Sequence, residues 1–242
     1  MYAALVRAWG AQHWWPARSR FEVIVGAYLT QNTNWTNVEI AMKRLRHANL
    51  LNVAGIRNTP VRKLEELIRS SGYFRQKAAR LKLFVQFLDR NYSGSLSKMF
   101  AQHTNKLREE LLSLNGVGPE TADSILLYAG QHPIFVVYAY TRRMALRHGI
   151  LTEKAGYEDF RILFERAPAN ASPRALQNGA AISLGGAAHP PSRMSLATRL
   201  PLAQVFNDMH GYIVGVGKKY CLKSRPRCEE CPLRHLLPAV QP

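Results

Sequence analysis

Cysteine is scarce in this chain. Only Cys221, Cys228 and Cys231 occur among 242 residues, all within eleven positions. An odd count in so tight a cluster excludes an even disulfide framework and points to metal chemistry instead. Acidic residues are also few. Asp and Glu total 16 against 33 Lys and Arg, which leaves a net charge of +17. A field of that sign draws polyanions from a distance, and nucleic acid is the foremost of them. An anionic membrane is the rival partner, but no run of 18 apolar residues and no lipidation motif is present, so no membrane association is expected. The opening MYAALVRAWG has no apolar signal core, and a cytoplasmic location, in a bacterial cytosol or nucleoid, is expected.

Alternating apolar and polar stretches are missing too, so strands are not predicted. What remains is helical spacing. The apolar run Phe21 to Leu29 leads through the polar TQNTN into a segment where Val38, Met42 and Leu45 repeat at helical intervals. Two helices separated by a polar elbow fit better than a strand. Val61, Leu64, Leu67 and Ile68 mark another helix, started by Thr59-Pro60. Ala79, Leu83, Val85 and Phe87 fall along a helix over 76–88. Leu107, Leu111 and Leu112 give an inward face over 104–114. An all-α fold of about ten helices follows if each runs ~11 residues. The stretch 167–199, rich in Ala, Gly, Ser and Pro, shows no apolar face. It contains Pro190-Pro191 and reads as a long mobile insertion, with helix resuming near Leu202.

The most informative segment is Leu114-Asn115-Gly116-Val117-Gly118-Pro119-Glu120-Thr121-Ala122-Asp123, set between two helical stretches. Glycines at 116 and 118 allow positive φ and close backbone approach. Val117 can plug the gap between the helices. Pro119 suits the first helical position. The amides of Gly116, Gly118 and Glu120 then face outward, where a phosphate is the natural occupant. A plain helix–turn–helix connection with a Gly-rich turn is the alternative. The whole pattern on so basic a chain favours DNA.

At this point the sequence resembles the helix-hairpin-helix DNA glycosylase superfamily, and within it the endonuclease III-like proteins of the methylpurine glycosylase branch. The resemblance rests on FEVIVGAYLTQNTNW, SGYFRQKAARL, LNGVGPETADSILLYAG, FVV followed by AYTRR, and the terminal C-x6-C-x2-C. It covers residues 1–167 and 200–237. It implies a six-helix barrel domain over 21–132 and a second helical domain from 1–20 and 133–242, with damaged double-stranded DNA across the cleft and a monomeric protein. It also implies base-excision repair by rotating one nucleotide out of the duplex. Gln31 would fill the vacated space, and Tyr73 stands where the family inserts a wedge, with a core aromatic as its alternative. Trp14, Trp15 and Trp35 are candidate pocket rings for a cationic alkylated purine, or in part simply core.

The family's essential Asp belongs to a V-V-D-A-Y-T-R-R-like segment. Here that segment runs Val136-Val137-Tyr138-Ala139-Tyr140-Thr141-Arg142-Arg143, so Tyr138 replaces the carboxylate. A neutral phenol supplies no full charge to an oxocarbenium-like transition state. Two routes around this exist: a cationic methylpurine is already a good leaving group, and Glu120 can offer a carboxylate from the hairpin. Otherwise Glu120 is an acid favoured by the helix dipole, and the chain an impaired lesion-binding protein of the same fold. Bifunctional relatives carry Lys at the Glu120 position as a Schiff-base nucleophile, so strand-cleaving lyase activity is not expected.

The spacing Cys221-x6-Cys228-x2-Cys231 matches three of the four ligands of the family's iron–sulfur loop. The fourth position, 237, holds Leu. A four-iron or incomplete cluster, a Cys3His zinc site using His235, or no metal at all are the outcomes this leaves. Lys218, Lys219, Lys223, Arg225 and Arg227 make the loop basic, which favours contact with a DNA backbone over a merely solvated face. Arg142 and Arg143 belong either to that surface or to pairs with core acids.

Overall fold

The computed structural model describes residues 1–167 and 190–238. Among these there are twelve α-helices and no strand. In chain order they are α1 Tyr2–Trp9, α2 Arg20–Thr30, α3 Trp35–His47, α4 Val53–Asn58, α5 Val61–Leu67 and α6 Phe74–Tyr92. There follow α7 Leu96–Phe100, α8 Thr104–Leu112, α9 Pro119–Ser124, α10 Ala139–Arg147, α11 Tyr157–Arg166 and α12 Pro201–Lys219. The all-α expectation therefore holds. Two compact units result: Ala17–His132, and Met1–Pro16 with Pro133–Pro242.

The first unit is built around α2. Ser19 caps it, its hydroxyl accepting from the Glu22 amide at 3.2 Å. Every residue from Phe21 to Leu29 is buried. A helix apolar all round belongs in the middle of a unit, and each fully buried Ile or Leu there contributes about 1.5–3 kcal/mol over its exposed state. Glu22 is the polar exception. Arg46 reaches it at 3.3 Å and the Arg18 amide donates to it at 2.8 Å. The TQNTN elbow separates α2 from α3, which Asn34 caps by accepting from the Asn37 amide at 3.0 Å.

Helix α6 differs from its expected face. It runs 19 residues and buries Lys77, Ala78, Leu81, Phe84, Val85 and Leu88, while Ala79 and Leu83 are exposed. The apolar residues outnumber the buried positions, and a buried lysine occupies one of them. The stretch after α9 also differs. Ile125–Gly130 continues as a wider π-helix and ends at Gln131, whose φ is +63°. Arg108 on α8 clasps Asp123 on α9 through Nε at 2.7 Å and Nη2 at 3.2 Å, with Asp123 fully buried. This paired contact sets the two helices flanking the glycine turn.

The second unit is built around α12, buried almost continuously from Ala203 to Gly217. Phe135 stacks on Phe164 at 4.7 Å and meets Phe206 edge-on at 5.7 Å. Gly217 has room for no side chain, because a Cβ there would meet the Tyr140 ring at 2.3 Å. Helix resumes at Pro201, close to the expected Leu202. The insertion expected over 167–199 falls mostly on 168–189, outside the described residues. Its end, 190–199, departs from that expectation. Met194 is buried, Ser192 donates to the Trp15 carbonyl at 3.2 Å, and Arg199 donates to the Met194 carbonyl at 2.6 Å.

Candidate functional site

The glycine turn joins α8 to α9 as the spacing requires. Gly116 has φ +78°, and the buried Val117 donates its amide to the Leu114 carbonyl at 3.0 Å. Gly118 starts α9 with Pro119 behind it, and a Cβ at Gly118 would meet nothing within 4 Å. The two glycines thus serve different ends. Gly116 needs its positive φ and its emptiness, since a Cβ there would lie 1.9 Å from Arg80 Nε. Gly118 leaves an open corner at the helix start, where unpaired amides gather.

Gln31 is tied to this turn. Its amide nitrogen donates to the Gly116 carbonyl at 2.9 Å and to Thr121 Oγ1 at 3.0 Å, and its oxygen accepts from Arg80 Nη1 at 2.8 Å. The elbow carrying Gln31 is in turn pinned by Lys77. That ammonium donates to the Leu29 carbonyl at 2.8 Å, the Ser71 carbonyl at 2.6 Å and Thr33 Oγ1 at 2.9 Å, and Thr33 donates to the same Ser71 carbonyl. Burial, then the neighbouring Arg80 charge, pulls the Lys77 ammonium down to about 8. Ser71 leads through Gly72 (φ +64°) to Tyr73, whose own φ is +44° and which is 66% exposed. The core-aromatic alternative for Tyr73 is therefore overturned. Gln31, the glycine turn and the Tyr73 loop form one hydrogen-bonded assembly. Lys77 and Arg80, the residues that bind it together, lie in the SGYFRQKAARL motif, but no role was assigned to either.

Trp35, half-buried at the start of α3, also lies in this unit. Glu120 sits in the first turn of α9 and keeps solvent access. The protein around it weakens solvation of the charge and raises its carboxyl to about 7.

The other expected residues lie in the second unit. Tyr138 precedes α10, its amide donating to Thr141 Oγ1 at 3.1 Å. Its ring meets His210 of α12 edge-on at 4.2 Å. His210 in turn meets Trp14 at 5.1 Å, and Trp14 meets Trp15 at 5.6 Å. Trp15 is core at 3% exposure, whereas Trp14 is only half-buried. Complete burial pushes the His210 imidazole down to about 3, so the ring is neutral. Sequence reasoning passed over His210. Its signal was available as a histidine with Asn207 and Asp208 within one turn, on a helix whose middle is largely apolar. Asn207 donates to the Trp14 carbonyl at 2.7 Å and holds that segment.

Arg142 and Arg143 satisfy neither expectation. Arg142 donates to the Ala155 carbonyl at 2.7 Å and lies over the Phe160 ring. Arg143 donates to the Cys221 carbonyl at 2.6 Å and the Gly217 carbonyl at 3.1 Å. Both serve as clamps on backbone. Lys218, Lys219, Lys223, Arg225 and Arg227 are all exposed, as a phosphate-contacting face requires.

Cys221, Cys228 and Cys231 are free thiols lining one cavity of about 20 Å³. Arg147, His148, Leu233, Arg234 and Leu237 line it as well. Arg147 Nη1 donates to Cys221 Sγ at 3.2 Å. His235 is exposed and lies outside this lining. Among the described residues no three His, Cys, Asp or Glu side chains converge on a single metal ion. The zinc site using His235 therefore lacks its geometry. Leu237, at the position expected to hold a fourth ligand, lines the same cavity and offers only hydrocarbon, so the lining does not complete a four-iron site.

Comparison with known proteins places this arrangement. A model of HhH-GPD superfamily base excision DNA repair proteins matches residues 25–169. An inferred DNA repair glycosylase of Methanocaldococcus jannaschii is 40% identical over 236 residues, covering 97% of this chain and 92% of its own length. The structure of H. pylori 3-methyladenine DNA glycosylase bound to 1,N6-ethenoadenine matches with a TM-score of 0.69 at 28% identity, over 86% of this chain and 89% of that one. A non-covalent endonuclease III–DNA complex has a TM-score of 0.64 at 22% identity, over 91% and 84%, a likeness of fold alone. The chain belongs to the HhH-GPD superfamily of base excision DNA repair proteins.

Proposed function

We propose that this chain is a monofunctional DNA glycosylase for alkylated purines, with Glu120 supplying the carboxylate that Tyr138 replaces. Glu120 carries the reading. It is an exposed acid in the first turn of α9, directly after the glycine turn, and its carboxyl is raised to about 7, the range in which a general base operates best at neutral pH. When ionised it stabilises positive charge growing on the sugar as the glycosidic bond breaks, and it accepts a proton from the attacking water. The base departs with the bond electrons. A cationic alkylated purine leaves readily, so the chemistry asks less of the protein than a neutral base would. The half-buried Trp14 ring beside neutral His210 suits a cationic planar ligand, since no like charge opposes it. The likeness to the H. pylori 3-methyladenine glycosylase supports the same substrate class.

DNA binding is read from the hairpin and the exposed cations. Gly118 presents an open helix start to a phosphate. Gln31 and the exposed Tyr73 stand on the same hydrogen-bonded assembly, ready to occupy the duplex. The protein acts as a monomer on double-stranded DNA. Carboxylates form no imine, so no covalent link to an abasic site is expected.

A second reading is favoured by Tyr138 itself: a lesion-binding protein that has lost its chemistry. Base release from a 3-methyladenine duplex decides between them. The proposal expects release by the wild type, a loss on the order of 10²-fold in Glu120→Gln, and no borohydride-trapped adduct. Release by Tyr138→Asp with none by the wild type establishes the second reading instead.

A further inference from the structure

The cysteine cavity lacks a fourth donor at Leu237, and its three thiols are free. They line a space of about 20 Å³, little more than one water molecule needs. Burial first, and then the charge on Cys221 and on Cys228, pushes the Cys231 thiol up. Sulfurs that oppose each other's ionisation stand close together. Two of the three are also brought together by the backbone. Cys228–Glu230 is a 3₁₀ turn, and the Cys231 amide closes it by donating to the Cys228 carbonyl at 3.1 Å. Such a turn holds its end Cα atoms within about 7 Å, and a disulfide spans about 4.4–6.8 Å between them. Side chains three apart in a 3₁₀ turn eclipse one another, which sets both sulfurs on one side. Cys228 and Cys231 are half-buried and so open to a small thiol reagent, whereas Cys221 is buried and its sulfur accepts from Arg147.

We propose that Cys228 and Cys231 are a redox-active dithiol, which closes reversibly to an intrachain disulfide and stiffens the basic loop around it. The Cys228 thiolate attacks one sulfur of a small disulfide such as glutathione disulfide, and one glutathione leaves as its thiolate. Cys231 then gives up its proton, and its sulfur attacks Cys228 Sγ and expels the second glutathione. Two protein thiols are oxidised and one disulfide is reduced to two thiols, so no further oxidant is needed. The link fixes the turn that follows the exposed Arg225 and Arg227 and precedes the exposed Arg234. Its consequence for DNA rests on the reading of these cations as a phosphate-contacting face. A loop already ordered leaves less freedom to lose on binding, so the closed form holds duplex DNA more tightly.

The test exposes the full chain to excess glutathione disulfide, alkylates the remaining thiols and maps tryptic peptides by mass. Cleavage after Lys219, Lys223, Arg227 and Arg234 leaves Cys221 on peptide 220–223, and Cys228 with Cys231 on peptide 228–234. Peptide 228–234 should lose two hydrogens and regain them with dithiothreitol, while Cys221 is alkylated. Cys231→Ser should stop at a glutathione adduct on Cys228. Oxidised wild type should bind duplex DNA several-fold more tightly than reduced wild type, and the double variant Cys228→Ser with Cys231→Ser should bind alike in both conditions. A link between peptides 220–223 and 228–234, a lasting glutathione adduct on the wild type, or full alkylation of all three thiols overturns the dithiol. A mapped disulfide with unchanged DNA affinity overturns its role in binding. If Arg225→Gln with Arg227→Gln also leaves the affinity unchanged, the phosphate-contacting reading of the loop fails with it.

Discussion

Gly116 and Gly118, two residues apart, illustrate how local geometry separates structural from binding roles. Gly116→Ala forces a Cβ onto Arg80, 1.9 Å from Nε, at φ +78°, and breaks the Arg80–Gln31–Gly116 chain. A loss of about 2–3 kcal/mol is expected in urea denaturation. Gly118→Ala meets no atom and keeps an ordinary φ of −92°. Its stability should stay within about 1 kcal/mol of wild type, the cost of a poorer N-cap, while affinity for duplex DNA falls about tenfold. Equal stability loss in both variants would contradict the division. The pair was legible in the sequence as a turn, although only Gly116 takes the positive φ that glycine favours. What it did not disclose was the neighbour across space. Arg80 lies 36 positions before Gly116, and no pattern along the chain shows that it, or Gln31, reaches the turn.

At the scale of elements, α6 shows what periodicity can and cannot deliver. The helix was legible, and so was its rough extent. Its buried face was not, because apolar residues lie on several sides and the buried Lys77 reads from sequence as a solvated charge. That lysine is 1% exposed and gathers the elbow after α2 and the loop before α6 onto one ammonium. Lys77→Met keeps the bulk and removes the charge, taking the side-chain donor from the Leu29 carbonyl and one of two donors from the Ser71 carbonyl. A destabilisation of about 2–3 kcal/mol is expected, with weakened DNA binding as Gln31 and Tyr73 lose their common anchor. Unchanged melting and unchanged binding would mean that water replaces the ammonium. The pH dependence has a definite sign. The folded value of about 8 lies below the ordinary lysine value of 10.5, so this group favours the folded state increasingly as pH rises from about 8 towards 10.5. In Lys77→Met that part of the slope should vanish from a melting-temperature series. The aromatic set divides similarly. Trp14 and Trp15 are adjacent in sequence, and only the packing against His210 and Ser192 tells half-exposed ring from core.

Across the whole molecule, the +17 charge was the first legible feature, and it has a quantitative consequence. Phosphate neutralisation releases counterions, so the logarithm of the affinity should fall linearly with the logarithm of salt concentration. Replacing Lys218 and Lys219 by Gln should reduce that slope by about two, one for each lost phosphate contact. An unchanged slope would remove the cysteine loop from the DNA-contacting face. The helical class and the glycine turn also followed from sequence, since both depend on neighbours along the chain. The candidate carboxylate did not fully emerge there. Glu120 could be named as an acid at a helix start, but its raised carboxyl comes from partial loss of solvation in the folded surroundings, which no local pattern records.

The most direct measurement is therefore the single-turnover rate of 3-methyladenine release as a function of pH, with duplex in excess of its dissociation constant. Glu120 with a carboxyl near 7 predicts a rate that climbs as pH rises through about 7, and a low, level profile in Glu120→Gln. A wild-type rate that ignores pH across that range, or a Glu120→Gln profile that reproduces the climb, would contradict the assignment of Glu120 as the working carboxylate.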